Sequence, residues 1–200
     1  MVKKTTKLSV KMAQYLDKIG VDHKILEHRT VYTALDAATT MKRKLNEVAK
    51  SLLVKADHDY YVVIIPADYN LDFKKLARCI GLQTGKKIKV VKIPGEKIME
   101  EALKIKAGAM SAFGSLHKLP VYVDKGLVKA KKAVFSAGSF NHSVEMAVKD
   151  FIKTEKAHLG SFSVRKKIKK QKVTKPKAKT KKKTGTKKPL RKNKVIQKKK

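Results

Sequence analysis

Cysteine is almost absent from this chain, since Cys79 is the single one among 200 residues. One cysteine excludes an intramolecular disulfide and fits a reducing compartment, so we expect a cytoplasmic protein. The stretch around it, Leu76–Ile80, has the pattern of a helix face, which favours a packed thiol over a nucleophile. No apolar run approaches the roughly 20 residues of a membrane-spanning helix, and no apolar core of a signal peptide follows the basic N-terminal residues. We therefore expect no membrane partner.

Acidic residues are scarce as well: 16 Asp and Glu stand against 50 Lys and Arg, a net charge of +34. Residues 165–200 hold 20 of the basic residues and no acidic one, which leaves a net charge of +14 in residues 1–164. Such charge indicates polyanionic partners, and RNA or DNA fits better than an anionic membrane. We predict a folded domain over 1–164 and a Lys-rich tail over 165–200 that is disordered when free.

The short motifs of many enzyme classes are missing. The sequence has no P-loop, no HExxH, no CxxC pair and no GxSxG elbow. Its six histidines are scattered without metal-ligand spacing, and we interpret all six as ordinary surface or hydrogen-bonded residues. His23 and His28, five residues apart, should lie on opposite faces of their strand. We expect no metal or cofactor, so any catalysis must depend on binding and on backbone dipoles.

Helical and strand patterns alternate along residues 8–156, which predicts one α/β or α+β domain on a mixed sheet. The predicted helices are Leu8–Ile19, Thr33–Met41, Leu71–Ile80 (ended by Gly81), Glu96–Ile105 and Ala147–Lys156. The predicted strands are Val21–Glu27, Lys50–Ala56, Tyr60–Ile65, Lys87–Ile93, Leu119–Val123, Ala133–Ser136 and Val144–Met146. Asp57-His58-Asp59 predicts a hairpin between the second and third strands.

Lys50 stands at the start of an apolar strand pattern, where an ionised group is costly to desolvate without a partner or ligand. One interpretation is a lysine that contacts a charged substrate. The other is an edge-strand lysine that prevents aggregation, which is common in soluble sheets.

Five motifs occur in a fixed order: Asn46-Glu-Val-Ala-Lys50-Ser-Leu-Leu-Val, Leu71-Asp-Phe-Lys-Lys-Leu-Ala, Gly108-Ala-Met-Ser-Ala-Phe-Gly114, Lys118-Leu-Pro-Val-Tyr-Val-Asp124 and Ser136-Ala-Gly138. Together they resemble the YbaK/prolyl-tRNA-synthetase-associated editing domain, a family of aminoacyl-tRNA deacylases. The resemblance covers about residues 8–156. It implies a mixed-sheet or barrel-like core flanked by helices, and hydrolysis in trans of small amino acids misloaded on tRNA, such as Cys- or Ala-tRNA(Pro).

The resemblance also assigns site residues. The family's catalytic lysine falls on Lys50, which would hold the phosphate or ribose of the terminal nucleotide. The Gly108–Gly114 loop would bring backbone N–H groups to the ester carbonyl, with Ser111 adding a hydroxyl. The alternative for this loop is a simple strand connector.

The family pattern is GxxxP, and this chain has Gly108 at its start but Ala112 in place of the proline, so the resemblance does not carry over the family's loop rigidity or amino-acid preference. Met110 and Phe113 are candidates for the wall of a small apolar pocket, or else core residues. Asp124 falls where the family has an acidic residue and could orient Lys50 or the substrate amine. Its alternative is a strand cap that faces water. Ser136-Ala137-Gly138 departs mildly from a Ser-Gly-Gly pattern, but Gly138 keeps the glycine that close approach of a ligand needs.

The partners implied are aminoacylated tRNA and an aminoacyl-tRNA synthetase, and we expect a monomer or a weak homodimer. The tail is predicted to bind nucleic acid without sequence preference. If the protein edits tRNA, the tail would bind the tRNA body. The alternative is a non-enzymatic protein that compacts nucleic acid, with a degenerate editing fold and a histone-like tail. A third reading is a nuclear or nucleolar address.

Overall fold

The computed structural model describes residues 8–103 and 108–166. Its helices are Val10–Ile19 (α1), Ala34–Thr40 (α2), Phe73–Thr84 (α3), Glu96–Leu103 (α4), Lys125–Val128 (α5) and Val148–Thr154 (α6). Its strands are His23–Glu27 (β1), Ala49–Ala56 (β2), Asp59–Pro66 (β3), Tyr69–Leu71 (β4), Val91–Lys92 (β5), Val121–Asp124 (β6), Lys132–Ser136 (β7), His142–Ala147 (β8), His158–Gly160 (β9) and Ser163–Arg165 (β10). Over the described ranges, no helix is both long and apolar enough to cross a membrane.

A five-stranded mixed sheet has the order β5-β2-β3-β6-β9. The predicted hairpin of β2 and β3 is antiparallel along its full length, from the pair Ala49–Pro66 to the pair Ala56–Asp59. β6 and β9 extend the sheet in parallel. A second, antiparallel sheet has the order β1-β8-β7, and a parallel bridge between Val48 and Val134 connects the two. This architecture confirms the predicted α/β (α+β) class with a mixed-sheet core.

Both faces of the β2–β3 hairpin are buried, which explains why the two strands are apolar nearly throughout. Leu53 packs into a cluster with the second sheet and α6, whereas the next residue, Val54, packs against Leu76 and Ile80 of α3. A third, smaller cluster joins α2 to the start of β2 and is made of Ala37, Ala38, Val48 and Ala67. This third cluster holds α2 beside Lys50.

The helix predicted to stop at Gly81 continues to Thr84, so that prediction was wrong at its end. Gly85 is the left-handed C-cap, with φ 70°, and Asp72 caps the N-terminus by accepting from the Lys75 amide. Gly81 has another role: a Cβ at this position would lie 2.8 Å from the carbonyl oxygen of Lys86. The glycine therefore allows the chain to return closely over the helix.

Short elements account for most other differences. The strand predicted over Lys87–Ile93 is reduced to β5, and the end of the helix predicted at Ile105 lies outside the described residues. The sequence patterns did not predict four elements, namely β4, α5, β9 and β10. Each has only three or four residues, too few to show a hydrophobic period.

The folded part extends two residues beyond the predicted boundary at 164. Arg165 pairs with Tyr69 across β10 and β4, and its Nε lies 3.7 Å from the Asp68 carboxylate. The amide of Lys166 donates to the carbonyl of Asp68 at 2.9 Å. Arg165 and Lys166 thus belong to the fold, and the disorder predicted for the rest of the tail lies outside the described residues.

Candidate active site

A cavity of about 350 Å³ opens between the start of β2, α2 and the β7–β8 pair. Its wall includes His28, residues 31–35, residues 48–52 and the small residues Gly108, Ser136 and Ser143. A volume of this size suits a small molecule or one end of a larger ligand. No cluster of three His, Cys, Asp or Glu side chains that could hold a metal ion is found in the described ranges.

Lys50 lines this cavity and is half-buried. Burial, and secondly the charge of Lys166, lower the pKa of the Lys50 ammonium below its ordinary value. Among the described residues, no carboxylate lies within salt-bridge distance of Lys50. A partly desolvated cation without a counter-ion is well suited to bind an anion that enters the cavity.

Two glycines with positive φ shape the loop side of the cavity. Gly108 lines it with φ 79°, and a Cβ there would lie 3.3 Å from the ring of Phe140. Gly138, with φ 80°, packs against the loop from the side away from the cavity, and a Cβ added at this position would lie 3.2 Å from the Cβ of Ser111. Both positions therefore require glycine for conformation and for close approach.

Two of the residues predicted to bind substrate, Met110 and Ser136, also line the cavity. Met110 is 5% exposed and supplies apolar wall. The Ser136 Oγ accepts from the Gly138 amide at 3.3 Å. Lys50, Gly108, Met110 and Ser136 thus meet at one cavity although they come from three separate motifs.

Ala112 is fully buried, and its amide donates a 3.0 Å hydrogen bond to the carbonyl of Ser136. Proline has no N–H and could not make this bond. The loop is therefore attached to β7 through the backbone at the position where the family pattern has a proline ring.

Ser111 and Phe113 lie behind the cavity wall. The Ser111 Oγ accepts from the Phe113 amide at 3.2 Å, and Ser111 is 2% exposed. The Phe113 ring is in the core, with ring centroids 5.7 Å from Tyr15 and 5.4 Å from Phe151. Phe113 was interpreted either as pocket wall or as core, and the structure places it in the core. Ser111 stabilises the loop through its hydrogen bond.

Asp124 has a structural position instead of the predicted contact with Lys50. It is 4% exposed, so it does not face water either. One carboxylate oxygen accepts from the Gly126 amide at 2.8 Å and caps α5, while the other accepts from the Phe162 amide at 2.8 Å. With both oxygens engaged, Asp124 joins the end of β6 to the segment before β10.

A hydrogen-bonded pair that sequence reasoning missed lies in the cavity wall. The Ser143 Oγ is 2.9 Å from Nε2 of His28, and Nδ1 of His28 is 2.9 Å from the carbonyl oxygen of Arg29. Because a carbonyl only accepts, Nδ1 carries the proton and Nε2 accepts from the Ser143 hydroxyl. The two residues are 115 positions apart, and no local pattern connects them.

Residues 28–154 match the family model of the aminoacyl-tRNA editing domain. The chain is 24% identical over 153 residues to the prolyl-tRNA editing protein ProX of Acetoanaerobium sticklandii, covering 74% of this chain and 90% of that protein. It is 28% identical over 119 residues to the uncharacterized protein YwhH of Bacillus subtilis, covering 59% and 71%.

A solved structure of a candidate trans-editing enzyme for prolyl tRNA synthetase has the same fold, with a TM-score of 0.67 at 19% identity. That likeness covers 79% of this chain and 99% of the solved one. The family resemblance seen in the five motifs is thereby confirmed: the chain belongs to the aminoacyl-tRNA editing domain family.

Proposed function

We propose that this protein is a deacylase that hydrolyses, in trans, the ester of mischarged aminoacyl-tRNA. The observation that carries the proposal is Lys50, a half-buried cation without a described counter-ion, in the wall of a 350 Å³ cavity. A terminal nucleotide supplies the missing negative charge. Membership of the editing family makes an aminoacylated tRNA end the natural ligand.

Lys50 acts as the anchor of this substrate. Its ammonium has three donors and reaches a phosphate or ribose oxygen of the terminal nucleotide. Anchoring there places the ester beside the Gly108 loop on the same cavity wall. Much of the rate then comes from positioning, since an aminoacyl ester is already an activated group.

Backbone amides of the Gly108 loop stabilise the oxyanion. The amides of Ala112 and Phe113 are already bonded, to Ser136 and Ser111 respectively. We therefore assign the oxyanion donors to the amides of Gly108 and Met110, both on the cavity wall.

His28 and Ser143 provide a route for the proton. A water beside Ser143 gives its proton to the Ser143 Oγ as the hydroxyl proton of Ser143 moves to Nε2 of His28. The resulting hydroxide attacks the ester carbonyl, the bond from carbonyl carbon to ribose oxygen breaks, and the ribose oxygen recovers the proton by the reverse route. The products are a free amino acid and an uncharged tRNA. For a cysteinyl substrate, the substrate's own thiol is an alternative nucleophile.

The amino acid removed is small, and Cys- or Ala-tRNA(Pro) are the substrates we propose. The apolar side chains Met110, Val134 and Ala37 line the cavity and suit a short side chain. The relative from Acetoanaerobium sticklandii is named for prolyl-tRNA editing, which supports this choice of tRNA. An aminoacyl-tRNA synthetase is proposed as a partner on the same ground.

The test is deacylation of Cys-, Ala-, Ser- and Pro-tRNA(Pro) by wild type and by Lys50→Ala. We expect Lys50→Ala to lower the rate about 10- to 100-fold, because a hydrogen bond to a charged group is lost. Lys55→Ala is the matched control, since Lys55 is on the same strand but lies over the ring of Tyr60 at 5.3 Å. Equal rates for Lys50→Ala and Lys55→Ala contradict the assignment. Absence of hydrolysis across the panel, with nucleic acid still bound, supports the compacting function instead.

A further inference from the structure

An exposed aromatic residue stands at the cavity. Tyr32 lines it and is 70% exposed, as is its neighbour Leu35 at 60%. The ring of Tyr32 is supported on one side by Phe140, with ring centroids 5.1 Å apart and a tilt of 51°. The Val31 amide donates to the carbonyl of Phe140 at 2.8 Å and fixes the backbone there. The ring thus stays exposed on a firmly held support.

A second cation lines the same cavity. Nζ of Lys166 donates to the carbonyl of Ala67 at 2.7 Å, which holds the side chain in place and leaves two donors. Its positive charge lies close enough to Lys50 to contribute to the lowered pKa of the Lys50 ammonium. Arg165 is paired with Asp68, whereas neither Lys50 nor Lys166 has a salt bridge within the part of the chain that the structure describes.

Two like charges held near each other repel, and an anion between them relieves the repulsion. A supported aromatic face that stays in water is the usual platform for an unpaired base. A phosphate and a base occur together in one ligand class, a nucleotide. A carboxylate of a protein partner also pairs with lysines, but a nucleotide supplies the anion and the flat ring within one group.

We propose that the mouth of the cavity is a binding surface for an unpaired nucleotide of single-stranded RNA, with the base stacked on Tyr32 and the phosphate held between Lys166 and Lys50. This inference deepens the proposed function and rests on it for the identity of the RNA. It adds two contacts, Tyr32 and Lys166, that give grip on the substrate without taking part in the chemistry. Stacking tolerates any base, so the surface sets affinity more than sequence preference.

The test uses a fluorescent RNA tetranucleotide, 5′-ACCA-3′, without an amino acid, in anisotropy titrations with the full chain at several salt concentrations. Tyr32→Ala should weaken binding about 5- to 100-fold, as expected for one lost stacking contact. Tyr32→Phe should bind as wild type, because it keeps the ring. Both changes are at an exposed side chain, and thermal unfolding checks that the fold is intact.

Lys166→Gln should weaken binding and reduce the slope of log affinity against log salt by about 0.7, the value for one phosphate contact on single-stranded nucleic acid. Lys149→Gln is the matched control, since Lys149 is exposed on α6 and does not line the cavity. The tail is present in every variant, so its contribution cancels in the comparison.

The proposed nucleotide-binding surface is contradicted if both Tyr32→Ala and Lys166→Gln keep the wild-type affinity and salt slope. It is also contradicted if Lys149→Gln changes the salt slope as much as Lys166→Gln does. If Tyr32→Ala and Lys166→Gln bind RNA normally while Lys50→Ala is slower in deacylation, the nucleotide-binding surface is contradicted and the proposed function is supported. If Tyr32 and Lys166 are needed for RNA binding but Lys50→Ala deacylates at the wild-type rate, the nucleotide-binding surface is supported and the proposed function is contradicted.

Discussion

At the scale of single residues, Ser143 and His28 form the contact in the cavity that most directly concerns proton transfer. The hydroxyl of Ser143 donates to Nε2 of His28 because Nδ1 is committed to the carbonyl of Arg29. The imidazole is therefore held in one tautomer and one orientation. This is the arrangement in which an imidazole serves as a base through a neighbouring hydroxyl.

We expect Ser143→Ala to lower the single-turnover rate of deacylation by about 100-fold, since general acid–base steps contribute about 10²–10⁴-fold. Binding of tRNA should change little. Ser139→Ala is a matched control, because Ser139 also lines the cavity but its Oγ bonds to Asn141 at 2.7 Å. A wild-type rate for Ser143→Ala would exclude the proton route.

Lys50 has a cost in stability that can be measured separately from activity. Burial lowers its pKa, so the native state disfavours the charged form that the unfolded chain carries at neutral pH. This penalty is complete below the lowered pKa and disappears as pH rises through it towards the ordinary lysine value of 10.5.

Lys50→Met should therefore raise the free energy of unfolding at pH 7 while it lowers the deacylation rate. The advantage over wild type should shrink as the pH approaches 10. Urea denaturation of both proteins at pH 7, 9 and 10 measures this. An advantage that grows with pH would mean that Lys50 is stabilised by its surroundings.

At the scale of elements, the loop from Gly108 to Phe113 is attached to β7 by the bond from the Ala112 amide to the Ser136 carbonyl. Ser136 itself lines the cavity. The wall of the cavity and the backbone that supports it are thus coupled through one hydrogen bond, whose donor residue Ala112 is fully buried.

Ala112→Pro introduces the residue of the family pattern but removes this bond and leaves the Ser136 carbonyl without its donor. We expect it to lower the free energy of unfolding by about 1–3 kcal/mol and to reduce deacylation. Ala112→Gly keeps the amide and separates the loss of the hydrogen bond from the loss of the methyl group. Urea denaturation with parallel rate measurements tests both, and a proline variant as stable and active as wild type would show that the bond is dispensable.

Long periodic elements were predictable from the sequence, and contacts between distant residues were not. The β2–β3 hairpin came within one residue of its bounds because the apolar run and the turn residues are local signals. Asp124 was assigned by motif position, yet its role is set by the amide of Phe162, 38 residues away. The His28–Ser143 pair and the place of Lys166 likewise depend on which strands meet. No local period carries that information.

At the scale of the whole molecule, the basic charge is divided between the folded part and the segment after Lys166. Because Lys166 lines the cavity, a truncation meant to test the tail must end after it, and not at the predicted boundary of 164. Cutting at 164 would remove a residue of the cavity together with the tail.

We expect a chain that ends at Lys166 to bind tRNA more weakly at low salt and with a smaller dependence on salt, since fewer phosphates are neutralised. Its deacylation rate at saturating tRNA should equal that of the full chain. Filter binding at 50 and 200 mM salt, with single-turnover rates, measures both. Unchanged affinity at low salt would contradict a tail that grips tRNA.

The bond from Ala112 to Ser136 also bears on how such sequences can diverge. The family pattern predicts a proline ring at this position, whereas this chain attaches the loop with an amide proton, and one residue cannot supply both. Position 112 therefore tolerates a change of side chain only as long as the residue keeps its backbone N–H, so the attachment of the loop to β7 depends on the backbone and is lost with proline alone.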